Sequence, residues 1–391
     1  MINSHYVPRL ILRRFNDKLS LYNVKTGELR EDIAVSHAYA ADNYYDKETE
    51  NNLNLKIESQ FGGFLANYIL KQDNEISLSR DKVVLIKKFL LVSLMRVYDE
   101  AFIEKERNFY NRPYFQAPFE ELDAKDETNY SYWLRTLNVI LETNGTPNEI
   151  LLHPQKTYPA YRWSYLMNNA YLAFWDTPKG EDEFVITDIG VTSENENGWD
   201  GIYVYNTKKT GYLNNILMLA KKANLSNEIL QKVYYDCDAQ NNFSENFMMF
   251  PISSTRMIVL ISPFFKLREQ YCDWGIKPPE LNDLTKIPNP KLFEPNKNYY
   301  RLKQESGILH QYHEDDRYIY EIKVLTDSEV QYCNSLFMDR IDTYLGFSSL
   351  DKAVNSIIRY KLLNSYPYVP RVNYSKLYKE IEERYGYKLF L

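Results

Sequence analysis

Residues 83–98 read VVLIKKFLLVSLMRVY, and only Lys87, Lys88, Ser93 and Arg96 interrupt the apolar surface. A helix that is apolar on nearly every face belongs in the middle of its domain. Ser79 is placed to cap it, and the pattern predicts a helix from there to about Tyr110. Upstream, Leu53, Ile57, Phe61, Phe64, Leu65, Tyr68 and Ile69 recur at helical spacing, predicting a helix over residues 48–70. Gly62-Gly63 weakens it locally and predicts the close approach of another backbone. Before that, Leu19, Leu21 and Val24, a Lys25-Thr26-Gly27-Glu28 turn and a return over Leu29 to Val35 predict a hairpin at 18–35. Downstream, Trp133, Leu134, Leu137 and Ile140 mark a helix over 126–141. Thr146-Pro147-Asn148-Glu149 reads as a capping box with proline at the first helical position, and a domain boundary is placed there.

Beyond residue 146 the texture turns to strands. Tyr171 to Asp176, a Pro178-Lys179-Gly180 turn and Glu183 to Asp188 predict a second hairpin; Phe247 to Ile252 with Met257 to Ile261 predict a third. A proline-rich loop is expected over 277–295, then a strand from Tyr318 to Leu325. Thr326-Asp327-Ser328-Glu329 is a capping box opening a helix whose apolar side is Val330, Cys333, Phe337, Ile341 and Tyr344, and two more helices close the chain. The fold class is therefore α+β and predominantly helical. A helical module with one hairpin spans 1–145, and a module of mixed antiparallel sheet and helix spans 146–391.

Hydrophobic residues at 44% and charged residues at 26% are ordinary globular values. Tyrosine is abundant, 35 residues against 13 glycines, which suits half-buried packing as well as ring stacking. A net charge of −6 gives no global support for nucleic-acid affinity, although a local basic patch would still act over a Debye length. Cys237, Cys272 and Cys333 are odd in number and far apart, which predicts reduced thiols rather than a disulfide framework or a zinc site. No apolar stretch reaches membrane-spanning length, and the basic cluster near Arg14 follows rather than precedes an apolar run. A cytoplasmic protein without a membrane partner is the expectation; a protein partner or homo-oligomer is left open.

Several catalytic patterns fail on context. No phosphate loop or dinucleotide fingerprint is present. Ser79-x-x-Lys82, Ser193-x-Asn195 and Lys209-Thr210-Gly211 follow the order of penicillin-binding serine hydrolases, but the last two lie too close together. His310, His313 and Glu314-Asp315-Asp316 fit a solvated acidic turn better than a metal site. Glu321-Ile322-Lys323 has the carboxylate and lysine of a restriction-type nuclease strand, with Asp283 or Asp316 as the only partners on offer. Alternating charges on an amphipathic strand explain it more simply.

Polar residues in costly surroundings carry more weight. Arg96 lies within the most apolar helix, and a buried guanidinium needs a partner. Glu58, at the edge of the core face of its own helix, is the candidate. Asp188 ends an apolar strand, a position favoured by catalytic carboxylates and by turn formers alike.

His5-Tyr6-Val7-Pro8-Arg9, Leu12-Arg13-Arg14-Phe15 and Leu21-Tyr22 before Thr26-Gly27 together resemble the opening of the bacterial family catalogued as domain of unknown function 4238. Asn43-Tyr44-Tyr45, Glu58, Arg96, the Phe184-to-Asp188 strand end and Phe250-Pro251-Ile252-Ser253 are similar too, so the resemblance spans most of residues 1–262. The family tends to follow the strand-end aspartate with Asn-Pro, where this chain has Ile189-Gly190. The resemblance brings no assigned reaction. From residue chemistry, His5 suits general acid–base work, Arg9 and Arg96 suit bidentate phosphate binding, and Glu58 and Asp188 suit orienting water or holding a divalent metal. One expectation is a phosphodiester hydrolase acting on nucleic acid, as a toxin or phage-defence effector. The other is a non-catalytic interaction or structural module, in which Pro8 starts a short helix and Leu10, Leu12 and Phe15 pin the segment into the core.

Overall fold

The computed structural model describes residues 3–110, 127–180, 182–190, 192–193, 247–261, 291–293, 316–362 and 372–386. The chain opens with β1 (Asn3–His5), the short helix α1 (Arg9–Leu12), the hairpin β2 (Lys18–Asn23) and β3 (Glu28–Ala34), and β4 (Ala40–Asp42). The hairpin turns where predicted. Asn23 Oδ1 accepts from the Lys25 and Thr26 amides at 2.9 and 3.0 Å, and Gly27 supplies the positive φ of +71°.

The next helix is interrupted in a way its periodicity does not show. α2 (Lys47–Leu53) passes through a π-helical turn (Asn54–Glu58) into α3 (Ser59–Asn67). The glycine pair admits no backbone: a side-chain carbon at Gly62 would meet only Leu10, at 3.8 Å, and one at Gly63 would meet nothing.

After β5 (Glu75–Ser79), α4 (Arg80–Met95) carries the apolar run, with Ser79 Oγ accepting from the Lys82 amide. It ends fifteen residues early. Neighbouring aromatic side chains satisfy its last backbone groups in place of a further turn. The Trp133 indole donates to the Met95 carbonyl at 2.7 Å, the Tyr45 hydroxyl donates to the Arg96 carbonyl at 2.6 Å, and the Tyr98 amide donates to the Tyr44 hydroxyl at 2.6 Å. Asp99 then caps a separate helix, α5 (Glu100–Tyr110), through the Phe102 amide. The lysines of the apolar run cap other helices in turn. Lys87 Nζ donates to the Asn168 and Ala170 carbonyls at 2.7 and 2.9 Å, and Lys88 Nζ to the Leu141 carbonyl at 3.1 Å. Burial pushes the Lys87 ammonium down to about 8.

These carbonyls end α6 (Asn129–Glu142) and α8 (Tyr158–Asn169), with α7 (Pro147–Leu152) between them. The capping box at α7 is half formed. Thr146 caps Glu149, but the Glu149 carboxylate turns to the Asn144 amide and side chain instead of back to Thr146.

The predicted hairpin of 171–188 does not exist. β6 (Tyr171–Asp176) runs antiparallel to β10 (Arg256–Ile261) and parallel to β12 (Arg317–Val324), so both its edges are taken. β7 (Ile186–Thr187) joins a different sheet, beside β13 (Tyr344–Phe347). The large sheet follows the order β11 (Lys291–Phe293), β12, β6, β10, β9 (Phe247–Pro251), β8 (Thr192–Ser193), with β5 also on β12. Arg256 locks its register, donating to both Asp176 oxygens at 2.6 Å and to the Gln72 carbonyl at 2.7 Å. A second sheet is ordered β3-β2-β13-β7, and β1 pairs β4 alone. The fold is α+β, and the first 145 residues contribute five strands rather than only the hairpin. Pairing of β5 with β12 and of β2 with β13 joins strands from both sides of residue 145.

The last capping box forms in full: Thr326 and Glu329 satisfy each other's amides at the start of α9 (Asp327–Asp339). Val330, Cys333 and Phe337 are buried as expected, but the helix stops before Ile341, and Tyr344 already belongs to β13. α10 (Val354–Leu362) and α11 (Ser375–Tyr385) are the two closing helices. Among the described residues no helix is long and apolar enough to cross a membrane.

Candidate functional site

Arg96 sits just past the end of α4 with 2% of its side chain exposed. Its Nη1 donates to Glu58 Oε1 and its Nη2 to the His5 carbonyl, both at 2.6 Å. Its guanidinium carbon lies 6.0 Å from the centre of the Tyr45 ring. Burial alone would pull the guanidinium pKa down; Glu58 and Tyr45 reverse this and hold it above its ordinary value. The pairing expected from sequence is therefore present, with the N-terminal strand as a third member.

The π-helical turn supplies a fourth. On a regular helix, residues eight apart are offset by roughly 80°. One wide turn takes up the extra residue, which brings Glu50 toward the face of Glu58. Glu50 accordingly feels both Glu58 and Arg96, and its carboxyl is raised by burial first, with the like charge of Glu58 adding to it. Ser4 Oγ and Glu50 Oε2 are both buried, and the Ser4 hydroxyl, as a donor to the Glu50 carboxylate, opposes that rise. Neither residue was visible as a candidate in the sequence, because a helical insertion leaves no mark in composition or period.

His5 pairs with Ala40 in the small sheet. The residue is 6% exposed, and among the described residues Nε2 has no hydrogen-bond partner. Burial lowers its pKa, the charges of Arg9 and Arg96 lower it further, and the backbone of Val35 and Ser36 only partly opposes them. Burial and the two cations thus favour the neutral imidazole in the native state. A folded pKa below the unfolded value means that stability is fully present above about 6.5 and is lost as pH falls through the folded pKa. Melting temperatures between pH 8 and pH 5 are expected to fall more steeply for the native chain than for His5→Gln; identical slopes would show that the ring does not titrate against burial.

Arg9 opens α1 and is exposed, whereas Ile11, Leu12 and Phe15 are buried and Leu10 is half-buried. The segment thus fills the core with its apolar residues and leaves its arginines in solvent. Asp188 lies elsewhere. Its carboxylate accepts from the backbone amides of Asp342, Thr343 and Tyr344, at 3.2 and 3.0 Å for the outer two, and so clamps the entry to β13. Burial raises its pKa in spite of those three donors.

The five expected residues therefore form two groups: Arg96–Glu58–His5, with the exposed Arg9 acting on His5 by its charge alone, and Asp188 apart. Tyrosines bridge them. Tyr6 packs on Tyr39 and Tyr44 with ring centres at 6.1 and 5.5 Å, and Asp188 acts electrostatically on all three. The pocket beside this array is apolar, lined by Tyr6, Val7, Pro8, Ile189, Phe250 and Ile252 among others.

The profile of the family described as a protein of unknown function, DUF4238, matches residues 3–349. The chain belongs to this family. The DUF4238 match thus extends well past the landmarks that end near residue 262, through β12, α9 and β13. No curated protein and no solved structure gives a significant match. At the point where this DUF4238 chain has Ile189-Gly190, Gly190 adopts φ +68° and its amide bonds the Thr187 carbonyl at 2.8 Å. Proline could do neither, so the turn after Asp188 is built differently here from an Asn-Pro turn.

The remaining candidates have local roles. The Ser79 hydroxyl is a helix cap, and Lys323 pairs with Glu329 at 2.6 Å. Asp283, His310, His313, Asn195 and Lys209-Thr210-Gly211 lie outside the described residues. Among the described residues, no three His, Cys, Asp or Glu side chains are grouped to hold a metal ion.

Proposed function

We propose that this chain is a non-catalytic interaction module, with its N-terminal segment as a structural anchor. The commitment of Arg96 carries the reading: its guanidinium is used by Glu58 and the His5 carbonyl in a position with 2% exposure. A phosphate would have to displace Glu58 and leave that carboxylate near Glu50 without its counter-charge. Asp188 is equally occupied by backbone amides. His5→Ala is then expected to lower the melting temperature measurably while leaving partner capture unchanged.

The phosphodiester hydrolase reading rests on His5 alone, an imidazole whose neutral form is favoured and whose Nε2 has no hydrogen-bond partner among the described residues. It requires cleavage of single- or double-stranded DNA or RNA in the presence of magnesium or manganese. Cleavage that disappears in His5→Ala, with the melting temperature held, would overturn the module reading and establish the hydrolase.

A further inference from the structure

Trp133 is buried in α6 and acts as the floor of an aromatic cluster. Tyr44, Tyr98 and Tyr130 stand against it with ring centres at 5.8, 5.2 and 5.4 Å. They come from three separate places: the segment before α2, the break between α4 and α5, and the first turn of α6. Their rings are held in position before any partner arrives. The Tyr130 hydroxyl donates to the Tyr44 carbonyl at 2.9 Å, and the Tyr44 hydroxyl receives the Tyr98 amide. Tyr130 is 38% exposed, and Tyr44 and Tyr98 are half-buried.

The rim of this cluster is acidic. Asp46 acts electrostatically on Tyr130, and Asp99 and Glu100 act on Tyr98; all three acids are exposed. Lys47 is an exposed cation beside Asp46, while Arg96, behind Tyr44, is neutralised by Glu58. Aromatic faces attract cations through their quadrupole, and carboxylates beside them add to the attraction. The same carboxylates repel phosphates, which removes nucleic acid as the natural occupant.

We propose that Tyr44, Tyr98 and Tyr130, rimmed by Asp46, Asp99 and Glu100, form a docking surface for a basic peptide segment of a partner protein, its arginine and lysine side chains lying over the rings. This rests on the interaction-module reading and names its partner class. Fixed rings lower the ordering cost of such a contact.

The test uses the full chain and a fluorescent oligo-arginine peptide, read by anisotropy at low salt and at about 0.5 M salt, where exposed charges are screened. The triple variant Asp46→Ser, Asp99→Ser, Glu100→Gln keeps both helix caps and removes the rim charge. It is expected to weaken binding about tenfold or more, and Tyr130→Leu about threefold, with Tyr130→Phe, which keeps the ring and loses only its anchoring bond, falling between Tyr130→Leu and the native chain. Removing three acids from β3 instead (Glu28→Gln, Glu31→Gln, Asp32→Asn) controls for net charge. Equal losses from the two triple variants would overturn the proposal, as would tighter binding of a single-stranded oligonucleotide. Concentration-dependent dimerisation abolished by the rim variant would assign the surface to a second copy and overturn it too. Absence of peptide binding together with absence of nucleic-acid cleavage would refute this surface and leave the module reading standing.

Discussion

Arg96→Met is expected to lower the unfolding free energy by about 3 kcal/mol. The guanidinium donates to the buried His5 carbonyl, and it also balances Glu58. Methionine replaces the volume but none of the donors, so a carbonyl and a carboxylate are left short of partners. Glu58 keeps 22% exposure and recovers some hydration, which holds the cost at the lower end for a broken buried pair. The double variant Arg96→Met/Glu58→Leu is expected to regain about a third or more of the loss, because an apolar pair no longer strands a charge. Urea unfolding with an unchanged m-value measures both. A loss under about 1 kcal/mol for the single variant would place Arg96 in the class of surface ion pairs and remove the main support for the anchor.

How much of this was legible depends on the kind of signal. Arg96 and Glu58 could be read because a charge in an apolar helix is costly wherever it lands, and its partner must be near. The hairpin of β2 and β3 and that of β9 and β10 could be read because turn chemistry and pairing are both local. β6 could not. Its neighbours, β10 and β12, are 80 or more residues away, and nothing between Asp176 and Glu183 announces that the edge is already filled. The two capping boxes make the same point at smaller scale. Thr326 and Glu329 close on each other, whereas Glu149 finds the Asn144 amide nearer and leaves Thr146 to cap alone. Identical letters give different bonds when a competing donor lies within reach. Within the candidate site, Glu50 and Ser4 were invisible because the π-helical turn moves one face against another without changing the residue pattern. Arg256 carries no signal in the sequence, because its partners Asp176, Ile69 and Gln72 are brought to it only by the completed sheet.

Gly346→Ala is expected to cost about 3 kcal/mol or more, and Tyr39→Phe is expected to relieve part of it. Gly346 lies inside β13, opposite Leu21 on one side and Ile186 on the other. A methyl group there would collide with the Tyr39 hydroxyl and press on Leu21 and Ile186 at 3.1 and 3.2 Å. Tyr39 cannot swing aside. Its ring is fully buried between Tyr6 and Tyr344, and its hydroxyl donates to the Ile186 carbonyl at 3.0 Å. Removing the hydroxyl alone is expected to cost about 1 kcal/mol, the net value of a buried hydrogen bond. In the double variant the freed space accepts the methyl, so the total is expected to fall at least about 1 kcal/mol short of the sum. Additivity within about 0.5 kcal/mol would mean that the strain falls on Leu21 and Ile186 instead. The outcome bears on the site as well as on the strand. Tyr39 supports Tyr6, and Tyr6 leads the chain from the His5–Arg96 contact toward Asp188. A strand that tolerates nothing larger than glycine at position 346 is what allows the N-terminal segment to be seated against a buried tyrosine rather than against water.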